Sequence, residues 1–131
     1  MAVPLALTAC AGGSAGGGDP IAVTASDTAC TLDRSTAGAG TITFDVQNTG
    51  SKVTEFYLYA PGDRIMGEVE NVTPGLQRRL IVEVPEGGKY TTACKPGQVG
   101  KGIRGAFTVT GNANPATSDD ARLAEATASY Q

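Results

Sequence analysis

Turn-forming residues divide the middle of this chain into pieces too short for a helical fold. Asn48-Thr49-Gly50, Ala60-Pro61-Gly62-Asp63, Thr73-Pro74-Gly75 and Pro85-Glu86-Gly87-Gly88 follow one another at short intervals. Each joins residues that favour tight turns to a glycine that accepts positive φ or a proline that ends a ladder. The segments between them are rich in Val, Thr and Ile, which fit a pleated, half-buried surface. They predict strands over residues 21–26, 40–47, 53–60, 64–70, 76–84, 89–94 and 105–110. About seven short strands in about 90 residues is the arithmetic of an all-β Greek-key sandwich. The 131 residues present suffice for one such domain and are too few for two ordinary ones.

Alternation assigns faces to these strands. Ile42, Phe44 and Val46 share one face, with Thr43 and Asp45 on the other, and Leu80, Val82 and Val84 stand likewise against Arg79, Ile81 and Glu83. Phe107 and Val109 complete the expected core, and Met66 reads as core or edge filler. If Phe56 and Leu58 point inward, then Glu55, Tyr57 and Tyr59 share the outer face, where a carboxylate lies beside two phenols. That row is either an ordinary outer face, with the tyrosines as packing, or the start of a site at one end of the sandwich. Glu68 and Glu70, two residues apart on one strand, also share a face, either as a solvated pair or as a carboxylate-rich metal site.

The chain has no histidine. That removes the Ser-His-Asp triad, the imidazole base and the usual zinc and blue-copper ligand sets. Any metal must be held by thiolate, carboxylate, amide, phenol or thioether, and no nucleophile constellation points to an enzyme. A net charge of −3 disfavours nucleic acid as a partner. Three cysteines, Cys10, Cys30 and Cys94, leave one to be explained separately.

The first 18 residues read as an export signal and a Gly/Ser linker, with an apolar run but no basic segment before it. Leu7-Thr8-Ala9-Cys10 resembles a bacterial lipoprotein cleavage box, which makes Cys10 the expected site of lipidation and Cys30 with Cys94 an even pair. No apolar run reaches the roughly 18 residues of a membrane-spanning helix, so a lipid anchor is the only membrane contact expected. Residues 19–111 form the predicted domain. Residues 112–131 read as a linker and a short helical tail opening at Ser118-Asp119-Asp120. The absent basic segment and this tail, with little to pack on, are the signs of a late start or a fragment.

Two stretches carry a resemblance. Asn48-Thr49-Gly50-Ser51-Lys52-Val53-Thr54-Glu55-Phe56 is similar to the segment of small blue copper proteins that leads to the first histidine ligand, with Glu55 in that place. Gly88-Lys89-Tyr90-Thr91-Thr92-Ala93-Cys94-Lys95-Pro96-Gly97 resembles their ligand loop as far as the cysteine, with Gly97 where the second histidine would stand. Read together with Ala25-Ser26-Asp27-Thr28-Ala29-Cys30 and Gly67-Glu68-Val69-Glu70-Asn71-Val72-Thr73-Pro74-Gly75-Leu76, they resemble the N-terminal cupredoxin domain of EfeO-type iron-uptake lipoproteins over roughly residues 20–111.

The resemblance implies an exported protein, periplasmic or anchored outside the cytoplasmic membrane. It would bind iron or copper and deliver iron to a membrane permease that works with a haem-peroxidase component. It carries the family's metal site to Cys30, Glu55 and Cys94; beside it, the spacing of Glu68 and Glu70 offers a second, carboxylate-rich site, with Asp27 and Asp63 as weaker candidates. The tail from Ser118 resembles the opening of that family's helical domain, which is missing here. Cys30 and Cys94 remain open between a disulfide, natural to an exported chain, and metal thiolates, which Lys95, Lys101 and Arg104 would favour by lowering the thiol pKa. The competing reading is a disulfide-stapled structural or docking sandwich without a metal of its own.

Overall fold

The computed structural model describes residues 18–113, so the expectations for the export signal, Cys10 and the helical tail lie outside the described residues. Among the described residues nine strands make a sandwich of two sheets: β1 (Ile21–Ala25), β2 (Cys30–Leu32), β3 (Thr36–Gly38), β4 (Gly40–Asn48), β5 (Thr54–Ala60), β6 (Arg64–Val72), β7 (Gln77–Val84), β8 (Glu86–Cys94) and β9 (Ile103–Asn112). The first sheet runs β2-β1-β4-β7 and the second β3-β9-β8-β5-β6. A 3₁₀ turn, Pro96–Gln98, follows β8.

The expected inward rows meet between the sheets. Phe44 lies 5.0 Å from Phe56 and 5.5 Å from Phe107, ring centre to ring centre. Ile21, Val23, Ile42, Val46, Leu58, Leu80, Val82, Val84 and Val109 fill the space around these rings. Fully burying an aliphatic or aromatic side chain contributes about 1.5–3 kcal/mol each, so this layer is what holds the sheets face to face.

The structure departs from the strand expectations in two places. Strands β2 and β3, three residues each, carry no periodicity of their own and form because β1 and β9 offer them hydrogen-bonding edges. Of the expected break Pro85-Glu86-Gly87-Gly88, Pro85 does separate β7 from β8, whereas Glu86, Gly87 and Gly88 form the first part of β8, with a register shift between Glu86 and Gly88. A side chain at Gly87 would collide with the Gly111 carbonyl, so the glycine permits close approach of two strands there.

Asn48 shows how a turn residue becomes structural. It is buried, its amide donates to the carbonyls of Lys52 (2.7 Å) and Val72 (2.8 Å), and its carbonyl oxygen accepts from Gly50 N–H (2.8 Å). One side chain thus fixes the entry to β5 and the exit from β6.

Candidate functional site

Strand β5 sits between β8 and β6, and both of its faces are covered. Phe56, Leu58 and Ala60 belong to the core, whereas Glu55, Tyr57 and Tyr59 form the outer row and are 8 %, 8 % and 5 % exposed. The start of β5 is clamped by the loop after Cys94: Lys95 N–H donates to the Glu55 carbonyl at 2.8 Å and Gly97 N–H to the Val53 carbonyl at 2.7 Å. Gly102, at φ 76°, closes that loop so tightly that a Cβ would meet the Cys94 carbonyl.

The Tyr57 and Tyr59 rings stack at 5.3 Å with 8° between their planes. Lys95 Nζ lies 4.1 Å from the Tyr57 ring centre and the Arg104 guanidinium 4.9 Å from that of Tyr59. These cations cover the rings while their heads remain near water. The Tyr57 hydroxyl donates to Glu55 Oε2 at 3.1 Å. Glu68 stands opposite Tyr57 in the ladder. Glu68, then burial, then Glu55 push the Tyr57 phenol above its ordinary value, because a phenolate there would face two carboxylates.

Glu55 is thereby turned toward Glu68 and Glu70, and one carboxylate oxygen from each of the three lies within 4.8 Å of the others. Glu68, the nearest negative charge, raises the Glu70 carboxyl pKa, with smaller effects from burial and Glu55. The register shift between Thr54 and Phe56 sets which β6 residues face Glu55.

The expected ligands therefore regroup. Cys30 and Cys94 are joined by a disulfide, Cα atoms 5.5 Å apart, across 64 residues of chain. Of the two alternatives for these cysteines the structure has the disulfide, so neither of these sulfurs is left as a thiolate beside Glu55. Cys94 faces the core, fully buried, while Lys95 and Arg104 lie on the outer face over the tyrosines, so these two charges do not bear on the sulfur. Glu55, expected to act with the cysteines, meets Glu68 and Glu70 instead.

Asp27 and Asp63 are occupied elsewhere. The Asp27 carboxylate accepts from Ser51 N–H at 3.0 Å, Ser51 Oγ at 2.5 Å and Lys52 N–H at 3.2 Å, and the bonds from Ser51 hold its pKa down. Asp63 takes a forked contact from Arg104, at 2.8 and 3.4 Å. The covering role of Lys95 and Arg104 was missed in the sequence, although Lys95 falls on the same face as Ala93, whose ladder partner is Tyr57.

Two packed sheets joined by the Cys30–Cys94 disulfide, with three glutamates of β5 and β6 converging on the outer face, define a β-sandwich without a blue-copper ligand set. The family model for the cupredoxin-like domain matches residues 1–109, and the chain belongs to that family. The fold is similar to that of dithionite-reduced auracyanin from Roseiflexus castenholzii, at 17 % identity and a TM-score of 0.58, covering 73 % of this chain and 100 % of that one. It also matches auracyanin A, a blue copper protein from Chloroflexus aurantiacus, at 12 % identity and a TM-score of 0.49, covering 70 % and 99 %. Among curated proteins none matches the chain. A blue-copper centre requires two imidazoles and a thiolate. This chain has no histidine and its Cys94 sulfur is bonded to Cys30, so the residues present do not fit that centre.

Proposed function

We propose that this domain is a metal-binding module of an exported bacterial iron-uptake system, which captures iron as cargo for delivery to a membrane permease. The observation that carries the reading is the convergence of Glu55, Glu68 and Glu70, with Glu55 largely covered and held by the Tyr57 hydroxyl while Glu68 and Glu70 stay open to solvent. Oxygen donors of this kind favour hard cations such as Fe(III), Fe(II) or Mn(II) over Cu(I). Three clustered carboxylates repel one another, and a bound cation relieves that repulsion.

The resemblance to EfeO-type lipoproteins supports iron as the cargo and a permease with a haem-peroxidase component as partners. The disulfide suits an oxidising compartment, and lipidation at Cys10 would tether the domain outside the cytoplasmic membrane. Among the described residues no helix is long and apolar enough to cross a membrane. The role is binding and transfer, with no catalytic step assigned to the chain.

The test is a titration of the chain with anaerobic Fe(II), with Fe(III) citrate and with Cu(II), read by equilibrium dialysis. Iron binding is expected, weakened at least about tenfold by Glu55→Gln or by Glu68→Gln with Glu70→Gln, a loss equivalent to about 1.4 kcal/mol. Absent binding, or binding indifferent to all three carboxylates, overturns the reading. Under the competing reading, a disulfide-stapled docking sandwich without a metal of its own, removing both cysteines lowers stability and the carboxylate variants change nothing.

A further inference from the structure

Strand β7 ends the first sheet, and among the described residues no strand pairs with its far edge. Its hydrogen-bonding direction follows from the ladder. Asn48 N–H donates to the Leu76 carbonyl, and the register pairs Gln47 with Gln77, Val46 with Arg78 and Phe44 with Leu80. Hydrogen-bonded pairs in an antiparallel ladder recur at every second residue, so Arg78, Leu80, Val82 and Val84 turn their backbone groups toward β4. On the other side of β4, Thr49 N–H donates to the Ala25 carbonyl of β1, which places the odd-numbered residues of β4 toward β1 and agrees with this phase. The N–H and C=O groups of Arg79, Ile81 and Glu83 therefore point off the open edge.

The same three residues carry the outward side chains of β7. Ile81 is 62 % exposed. Arg79 bonds Asp45 at 2.8 Å, with 57 % of its side chain still exposed, and Glu83 accepts from Thr41 Oγ1 at 2.5 Å. Strand β6 lies beneath β7, where a Cβ on Gly67 would come within 3.1 Å of Val82, and among the described residues pairs only with β5, so it does not fill the edge.

This edge is complementary to itself. Rotating a second copy about a two-fold axis perpendicular to the sheet, passing just off the β7 edge beside Ile81, sets Ile81 opposite Ile81 in an antiparallel pair. Arg79 then faces the second copy's Glu83, and Glu83 the second copy's Arg79. All of these are residues whose backbone groups no other described strand pairs with, so they can bond across the joint. The outward row gains two opposite-charge pairs flanking an apolar one, the combinations that stabilise cross-strand neighbours. The inward row sets Leu80 opposite Val82, continuing the apolar layer. An unpaired strand edge is a template for another strand, and here the charges select an identical one.

We propose that two copies of this chain associate edge to edge through β7, forming a continuous sheet of eight strands from the two four-stranded sheets. This rests on observations independent of the metal reading, since the carboxylates lie on the outer face of the other sheet.

The experiment is sedimentation equilibrium of the full chain in a Cys10→Ser background, compared with Ile81→Lys, Glu83→Lys and Val99→Lys. Val99 is an exposed apolar residue of the loop after β8, 71 % accessible, and controls for non-specific apolar association. The expected result is a reversible dimer whose dissociation constant rises at least about tenfold with Ile81→Lys and with Glu83→Lys, the scale of a few lost cross-strand terms, and is unchanged by Val99→Lys. In a second arm, Ile81→Cys should form a covalent dimer under mild oxidation faster than Val99→Cys, because hydrogen-bonded antiparallel partners have Cα atoms about 5.5 Å apart, within disulfide reach. A monomer at every concentration, a dimer insensitive to Ile81→Lys, or equal cross-linking of the two cysteine variants overturns the proposal.

Discussion

Strands β4 and β5 each run between two neighbours in their own sheet, and each points a row of alternating apolar residues into the same core. Their outer rows differ. On β4 the row Thr41, Thr43, Asp45 and Gln47 is half-buried to exposed, with its carboxylate shared with Arg79 in water. On β5 the row Glu55, Tyr57 and Tyr59 is buried, because Lys95 and Arg104 fold over it and Glu68 flanks it. Period-two alternation decides which side a residue takes, but the far ends of long side chains on neighbouring strands decide whether that side sees water. A carboxylate in the first row is a surface charge, whereas one in the second has a fixed direction and an anchored oxygen. That is why the metal proposal rests on β5.

The largest expected effect tests what holds the two rows apart. Replacing Cys30 and Cys94 together by alanine should cost about 4 kcal/mol, the chain-entropy value for a loop of this length, read from the denaturant midpoint. If the loss is under about 1 kcal/mol, the tie between the sheets does not support the covered face. Tyr57→Phe should cost about 2 kcal/mol by the same measurement, since it removes a hydrogen bond to a buried charged group. Asp45→Asn, on the solvated row, should cost no more than about 0.5 kcal/mol. If the two substitutions cost the same, the contrast between the rows fails. Lys95→Met lies between them, at about 1 kcal/mol or less, from the lost cation–π contact, and should leave the Asp45–Arg79 pair untouched.

The smallest effect is a pH dependence, and its sign is specific. Glu70 has a raised carboxyl pKa because of Glu68, so its proton binds more tightly in the folded chain than in the unfolded one. Its protonation favours the fold below the ordinary value of 4.5, and that contribution is lost as pH rises through the folded value. Glu68→Gln removes the repulsion and should raise the melting temperature slightly at pH 7 and not at pH 3.5. Asp27 behaves oppositely: its lowered pKa stabilises the fold above 3.8 and the contribution fades as pH falls through the folded value. Asp27→Asn should therefore destabilise at pH 7 with a deficit that shrinks in acid. Thermal melts of both variants across pH 3 to 7 check the two signs.

Much of the sandwich was legible because its long strands repeat at period two and its turns are marked by Gly, Pro and Asn. Phe44 and Phe107 could be placed in the core from alternation, and Glu55 in one row with Tyr57 and Tyr59 by the same rule, although alternation left open which face of β5 turns inward. Strands β2 and β3 were not legible, since three residues carry no period and their stability comes from edges supplied by β1 and β9. The break expected from Pro85 to Gly88 is confined to Pro85; Gly87 and Gly88 belong to β8, because close approach of another backbone leaves no mark in the strand's own residues.

Local sequence alone determined the alternating faces, the turns and the pairing of Glu68 with Glu70 on one side of β6, because these depend on neighbours a few residues apart. Only the tertiary structure decided that Cys94 meets Cys30 across 64 residues, and that Glu55 joins Glu68 and Glu70 in place of the cysteines. Those contacts depend on strand order and on a register shift of one residue, which moves a side chain by a full strand step and which no local pattern encodes.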